Sequence, residues 1–166
     1  MKAVHAAVMA VALAFGSGQA FGQEHAEAEH RAAVLEIGAA GEWGIPGGNG
    51  SFGPSVGLAV TPIEHLLEIE FGVSPMINGG VVDWKSEIIF KRPFELSKNL
   101  ELMVGVGPGW SMSTNTVSAI AMLDLMYWST PQYGWFVEPS YSYAFNGEHE
   151  KNLGLKVGLL IALPAK

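Results

Sequence analysis

Residues 34 to 44 read VLEIGAAGEWG, and this stretch decides the fold. Leu35, Ile37, Ala39 and Trp43 fall on one side of an extended chain and Glu36, Gly38, Ala40 and Glu42 on the other, because successive side chains of a strand point to opposite faces. The same alternation recurs seven more times. Pro54 to Thr61 sets Val56, Leu58 and Val60 against Ser55, Gly57 and Ala59, and Leu66 to Ser74 sets Leu67, Ile69, Phe71 and Val73 against Glu68, Glu70, Gly72 and Ser74. Val82 to Pro93 opposes Trp84, Ile88 and Phe90 to Asp83, Lys85, Glu87 and Lys91. Leu100 to Trp110 opposes Leu102, Val104, Val106 and Trp110 to Glu101, Met103, Gly105, Gly107 and Gly109. In Ser118 to Ser129, Leu123, Leu125 and Tyr127 face away from Met122, Asp124 and Met126, although Ala119, Ile120 and Ala121 blur the register. Trp135 to Phe145 sets Trp135, Val137, Tyr141 and Tyr143 against Phe136, Glu138, Ser140 and Ser142. Leu153 to Leu163 sets Leu153, Leu155, Val157, Leu159, Ile161 and Leu163 against Gly154, Lys156, Gly158 and Ala162.

The joints between these segments carry turn residues: Pro46-Gly47-Gly48-Asn49-Gly50, Pro62, Pro75 with Asn78-Gly79-Gly80, Pro93 with Ser97 to Asn99, Ser113 to Asn115, Pro131, and Asn146-Gly147. Eight strands of this length, an even count, are what a minimal membrane barrel requires. Helical periodicity is absent through most of the chain, and after residue 32 no apolar run is long enough for a transmembrane helix.

Composition narrows the class. The chain has 166 residues, 16 acidic against 9 Lys+Arg, no Cys, and only 15% charged residues, whereas soluble domains carry about 25%. A formal charge of -7 leaves no basic footprint for nucleic acid. The absence of Cys excludes disulfides, thiol catalysis and Cys-ligated zinc. Lys2, the apolar run Ala6 to Phe15 and Ala20-Phe21-Gly22 have the order of a cleaved secretory signal. The expected organisation is therefore a signal peptide over 1–22, a flexible lead-in over 23–32 and a barrel domain over 33–166.

Alternation alone does not say which face is inside, since a soluble lipocalin-like barrel binding an apolar ligand in the periplasm would alternate in the same way. The polar face is rich in Gly, Ala and Ser with charges of both signs, which suits a narrow lumen better than a solvated surface. Traced up and down, the chain places Trp43, Trp84, Trp110, Tyr143 and Phe145 near one rim and Phe94, Tyr127, Trp128, Tyr133 and Trp135 near the other, the double aromatic girdle of a bilayer-spanning barrel. Arg92 has lipid-face parity close to the second rim, where its long stem can reach headgroups.

With these segments in hand, VLEIGAAGEWG, LLEIEFGVS, LELMVGVGPGW and LGLKVGLLIAL among them, the chain resembles the small eight-stranded outer-membrane barrels of bacteria, the OmpA-like and OmpX-like class, over roughly residues 33 to 163. The resemblance implies an all-β, up-and-down antiparallel transmembrane barrel in the outer membrane, with outer-membrane lipid and the barrel-insertion machinery as partners. It implies location far more than activity. Two features depart from it: the chain ends Leu163-Pro164-Ala165-Lys166 where such barrels end in an aromatic residue, and Pro139 lies within the seventh strand, where a bulge is expected to accommodate it.

The inward set is Glu36, Glu42, Glu68, Glu70, Glu87, Glu101, Asp124 and Glu138, with Lys85, Lys91 and Lys156. Eight acids cannot all be paired with three bases, so the surplus must be hydrated, protonated or balanced by cations. An interior polar network that fixes register and plugs the lumen is the expected role, with a narrow cation-favouring path or binding site as the functional alternative. Met103, Met122 and Met126 are expected to fill gaps. Some barrels of the resembling class deacylate lipid A with Ser, His and an acid, but His149 has no neighbouring Ser, and Ser140 and Ser142 point inward. Gln23-Glu24-His25 has the spacing of an amino-terminal Cu(II) or Ni(II) chelate and is read, like His25 with His30, as coincidence. No cofactor, metal or catalytic residue is expected. The sequence therefore points to a non-enzymatic outer-membrane barrel with a structural, envelope-maintaining role or a minor solute path.

Overall fold

Alternating segments become eight strands in the computed structural model, which describes residues 31–145 and 150–164: β1 (Arg31–Ile45), β2 (Gly50–Ile63), β3 (Leu67–Asn78), β4 (Val81–Ser97), β5 (Leu100–Ser111), β6 (Thr116–Trp128), β7 (Tyr133–Ala144) and β8 (Lys151–Pro164). The expected signal peptide and most of the expected lead-in lie outside the described residues. The last two lead-in positions, Arg31 and Ala32, are already strand.

Each strand pairs antiparallel with its sequence neighbour, and β8 returns to β1 to close the barrel. Following paired residues around the circumference from Ala33 through Val60, Ile69, Phe90, Val106, Ala121, Tyr141 and Leu153 leads back to β1 at Trp43, ten residues beyond the start. That stagger tilts the strands and fixes the bore, which at eight strands is just wide enough for side chains to fill. The start of β1, the end of β8 and the turns after β2, β4 and β6 lie at one mouth, here the terminal mouth; the other four connections lie at the loop mouth. Between β3 and β4 the chain reverses through Gly79 and Gly80, both at positive φ, the two-residue hairpin turn whose twist matches the flanking strands.

The faces are as the alternation requires. Ile37, Val56, Leu58, Phe71, Val73, Ile88, Phe90, Leu123, Val157 and Leu159 are exposed on the outside of the barrel, while Glu36, Glu68, Glu70, Lys91, Asp124 and Glu138 are buried within it. Trp43, Trp84, Trp110 and Phe145 are exposed toward the loop mouth. Toward the terminal mouth Phe94, Tyr133 and Trp135 are exposed, and the Tyr127 and Trp135 rings meet at 5.4 Å. Arg92 lies over the ring of Phe94 at 5.4 Å. Trp128 departs from the expected girdle: it is 3% exposed and has the inward parity of Asp124 and Met126. Its partner across the β6–β7 seam is Gly134, where a Cβ would stand 3.2 Å from the Trp128 ring. The indole thus turns into the lumen over a glycine instead of out to lipid.

Pro139 is accommodated without the expected bulge. The β6–β7 ladder passes from Met122↔Ser140 to Leu125↔Val137 in unchanged register, skipping the proline and Glu138. The same lapse occurs twice more. Pro54 stands opposite Pro75 in the gap between Phe52↔Ile77 and Val56↔Val73 of the β2–β3 seam, and Pro108 stands opposite Ile88 in the gap between Glu87↔Gly109 and Phe90↔Val106 of the β4–β5 seam. All three lapses fall in seams whose strands are joined at the terminal mouth, whereas the four hairpins joined at the loop mouth pair without a gap. A proline removes the ladder donor but leaves the opposing carbonyl. At two lapses the residue before the proline is glycine, and that carbonyl settles against it: a Cβ on Gly53 would lie 1.9 Å from the Pro75 oxygen, and one on Gly107 1.9 Å from the Ile88 oxygen. Substituting Gly107→Ala is therefore expected to destabilise the barrel by about 1–3 kcal/mol, the range for forced overpacking, measured by urea unfolding in detergent. A stability equal to that of the parent would show that the carbonyl has room to move away.

Candidate functional site

The lumen is layered. At the terminal mouth Val34, Ala59, Met103, Met126, Trp128, Phe136, Leu160 and Ala162 form one apolar cluster. Above it lies a belt of charge, and toward the loop mouth the lining turns to serine, asparagine and glycine with Glu42, Asp83 and Lys85 half-buried. Met103, Met122 and Met126 are all buried in the lumen, with 0% exposure for Met126.

Lys91, from the middle of β4, is fully buried, and its Nζ faces four carboxylates from four other strands: Glu70 Oε2 at 2.5 Å, Asp124 Oδ2 at 2.8 Å, Glu36 Oε1 at 3.3 Å and Glu138 Oε2 at 3.8 Å. Lys156 on β8 reaches Glu138 Oε1 at 2.8 Å and Glu70 Oε1 at 3.8 Å, and also pairs with Glu87. Glu70 and Glu138 thus bridge the two lysines. Lys85 pairs separately with Glu42 nearer the loop mouth. Of the sequence-predicted inward residues, the stagger gathers Glu36, Glu70, Glu87, Lys91, Asp124, Glu138 and Lys156 into one network. Glu68 is buried beside it, opposite Lys91 in the β3–β4 register, with Oε1 sealed and without a hydrogen bond. Glu101 is half-buried toward the terminal mouth.

Glycines make the space for these long side chains. A Cβ on Gly57 would lie 3.0 Å from Glu70 Oε1, one on Gly72 2.6 Å from Glu87 Oε1, and one on Gly105 3.2 Å from Lys91 Cγ. Their inward parity was legible in the sequence, but which charged chain each one receives depends on the neighbouring strand. Asp83 has the same polar-face parity as Lys85 but was left out of the expected inward set: its Oδ2 accepts from Ser111 Oγ at 2.8 Å and its Oδ1 from the Ser113 backbone N–H at 3.1 Å, tying the β5–β6 loop to β4. An internal cavity with room for about one water is lined by Glu36, Ser55, Ser74, Glu87, Phe136 and Lys156 among others.

The histidine expected at the loop rim, His149, lies outside the described residues, as do His25 and His30. His65 is at the opposite mouth, with Nδ1 3.2 Å from Glu95. Ser140 and Ser142 face the lumen, away from the lipid surface where an acyl chain would be attacked.

No family model and no curated protein matches the sequence. Solved structures share its fold. A designed transmembrane β-barrel superposes with a TM-score of 0.60 at 13% identity, covering 81% of this chain and 98% of the design. Neisserial surface protein A gives 0.56 at 12%, covering 79% and 96%. The N-terminal β-barrel domain of Pseudomonas aeruginosa OprF gives 0.55 at 16%, covering 77% and 97%. The chain has the fold of the small eight-stranded transmembrane barrels, as the resemblance implied.

Lys91 is the hub of this interior. Replacing it with methionine, of similar length but neutral, leaves four carboxylates around an uncharged group, and breaking one partner out of a buried ionic set typically costs about 3–5 kcal/mol. Lys91→Met is expected to lower unfolding stability by that order, whereas Lys85→Met, which is nearer the mouth and has one carboxylate partner, is expected to lower it by much less. Equal losses in both variants would deny Lys91 its central place.

Proposed function

We propose that the chain is a non-enzymatic outer-membrane barrel with a structural, envelope-maintaining role, and that its lumen passes no solute. The observation that carries this reading is the inverted polarity: carboxylates and lysines fill the interior while Leu, Val, Ile and Phe cover the outside. A soluble barrel holding an apolar ligand needs the opposite arrangement, with the apolar residues inward. An exterior of this kind is stable only against lipid, and closure leaves no unpaired sheet edge to face it. The aromatic residues toward each mouth suit the two interfacial zones, and the shared fold with neisserial surface protein A and OprF is consistent with the outer membrane.

The filled lumen supports the structural role. Trp128, Phe136, Met126 and Leu160 are buried together at the terminal mouth, and the belt of charge above them has space for little more than a water. This opposes the minor solute path. Short connections at both mouths offer little surface for an elaborate receptor.

Membrane fractionation with cysteine labelling tests the reading. Leu159→Cys, on the outer face, is expected to remain in the outer-membrane fraction and react only with a lipid-soluble maleimide, while Lys151→Cys at the loop mouth reacts with a water-soluble one. Extraction of the protein in plain buffer, with position 159 open to the water-soluble reagent, would reject membrane embedding. In planar bilayers the parent protein is expected to give no unitary conductance; reproducible steps would reject the closed lumen.

A further inference from the structure

The belt of charge does not balance. Lys91 and Lys156 together face five carboxylates, Glu36, Glu70, Glu87, Asp124 and Glu138, which leaves three formal negative charges in a lumen sealed at its terminal end. Charge surplus alone describes many acidic clusters, but here two further observations point to a cation-binding cage. Glu36, Asp124 and Glu138 each offer an oxygen, and these oxygens all lie within 4.8 Å of one another, the span of one coordination sphere around a hard ion whose metal–oxygen distances are about 2.3–2.6 Å. Within that same triad, Asp124 Oδ1, on a residue exposed by 0%, is cut off from solvent and receives no hydrogen bond, and the sealed Glu138 Oε2 has no hydrogen bond either, with the Lys91 ammonium 3.8 Å away. Burying an acceptor without a donor is costly. Lys91 supplies one positive charge to the triad and to Glu70, and its three donors are spread over four carboxylates.

We propose that the cage of Glu36, Asp124 and Glu138 binds one hard divalent cation of the Ca2+ class beside Lys91. Lys91 and Lys156 then supply the built-in counter-charge of the belt, two positive charges against five carboxylates, and the ion supplies two more. The ligand set is all oxygen, which selects Ca2+-like or Mn2+-like ions over the thiolate- and imidazole-seeking metals. Approach is from the loop mouth, where the lining is polar and half-buried; the apolar cluster closes the other side. The ion stabilises the folded barrel because the unfolded chain offers no such cage. This inference goes beyond the membrane reading and does not depend on it, since the cage is a property of the closed barrel in any solvent that keeps it folded.

The test uses the full chain refolded into zwitterionic detergent, with Mn2+ as the probe followed by its paramagnetic resonance signal and Ca2+ as competitor. Heat-modifiable mobility establishes folding of every variant before binding is read. The parent is expected to quench one Mn2+ per chain, to release it to Ca2+, and to unfold at higher temperature when Ca2+ is present. Asp124→Asn and Glu36→Gln, each folded, are expected to weaken Mn2+ binding about tenfold or more, as the loss of a charged ligand does, while Glu42→Gln near the loop mouth leaves it unchanged. Lys91→Met gives a reading of opposite sign: with the built-in positive charge gone, Mn2+ affinity is expected to rise. A folded parent that binds no Mn2+ and gains stability only on acidification would mean that protons neutralise the cage, and the proposal falls. Binding that survives Asp124→Asn and Glu36→Gln unchanged, or that drops in Lys91→Met, also overturns it.

Discussion

An eight-stranded sheet with an apolar outer face has two edges that must be hidden, and the pairing of β1 with β8 from Ala33↔Leu163 to Ile45↔Lys151 hides both. In a bilayer no water is present to satisfy an unpaired N–H or C=O, so closure is a condition of the fold and not a refinement of it. Closure with a stagger of ten residues then tilts every strand and narrows the bore until side chains fill it. The interior is a consequence of that narrowing. Lys91 touches carboxylates from β1, β3, β6 and β7 because those strands come round to it across a lumen only a few side chains wide.

The same constraint makes sense of the prolines. In an open sheet they would retire to an edge strand, but a closed barrel offers no edge. Here Pro54, Pro75, Pro108 and Pro139 all have lipid-face parity and interrupt only the seams whose strands join at the terminal mouth. The four loop-side hairpins, and the closing β1–β8 seam from Ala33 onward, keep their ladders. Ladder bonds are thus lost where two neighbouring hairpins meet, and each hairpin remains continuous within itself. Gly53 and Gly107 admit the carbonyls left over at two of these places.

Charge and packing divide the lumen between them. The apolar cluster at the terminal mouth supplies burial and a seal, and the ionic belt supplies register, since sliding a strand by one residue would exchange its lumen-facing set for its lipid-facing one. Two lysines cannot neutralise five carboxylates, and this imbalance is the least ordinary feature of the molecule. That a designed transmembrane barrel shares the fold at 13% identity fits the view that alternation, turns and closure define the architecture, while the particular interior belongs to this chain.

Read by itself, the amino-acid sequence determined the eight strands, their alternating faces and the residues available to the lumen, because a period of two is a local property that each strand displays alone. It placed Glu36, Glu68, Glu70, Lys85, Glu87, Lys91, Glu101, Asp124, Glu138 and Lys156 inward, and no neighbour was needed for that. Trp128 was misplaced on the lipid side because an indole near a rim reads as girdle, although it shares the inward parity of Asp124 and Met126. Only the tertiary structure decided which carboxylates meet which lysine, that Pro139 needs no bulge, and which glycine makes room for which charged chain. Those contacts lie between strands far apart in sequence, and they follow from the stagger at which the barrel closes, a quantity that no single strand contains.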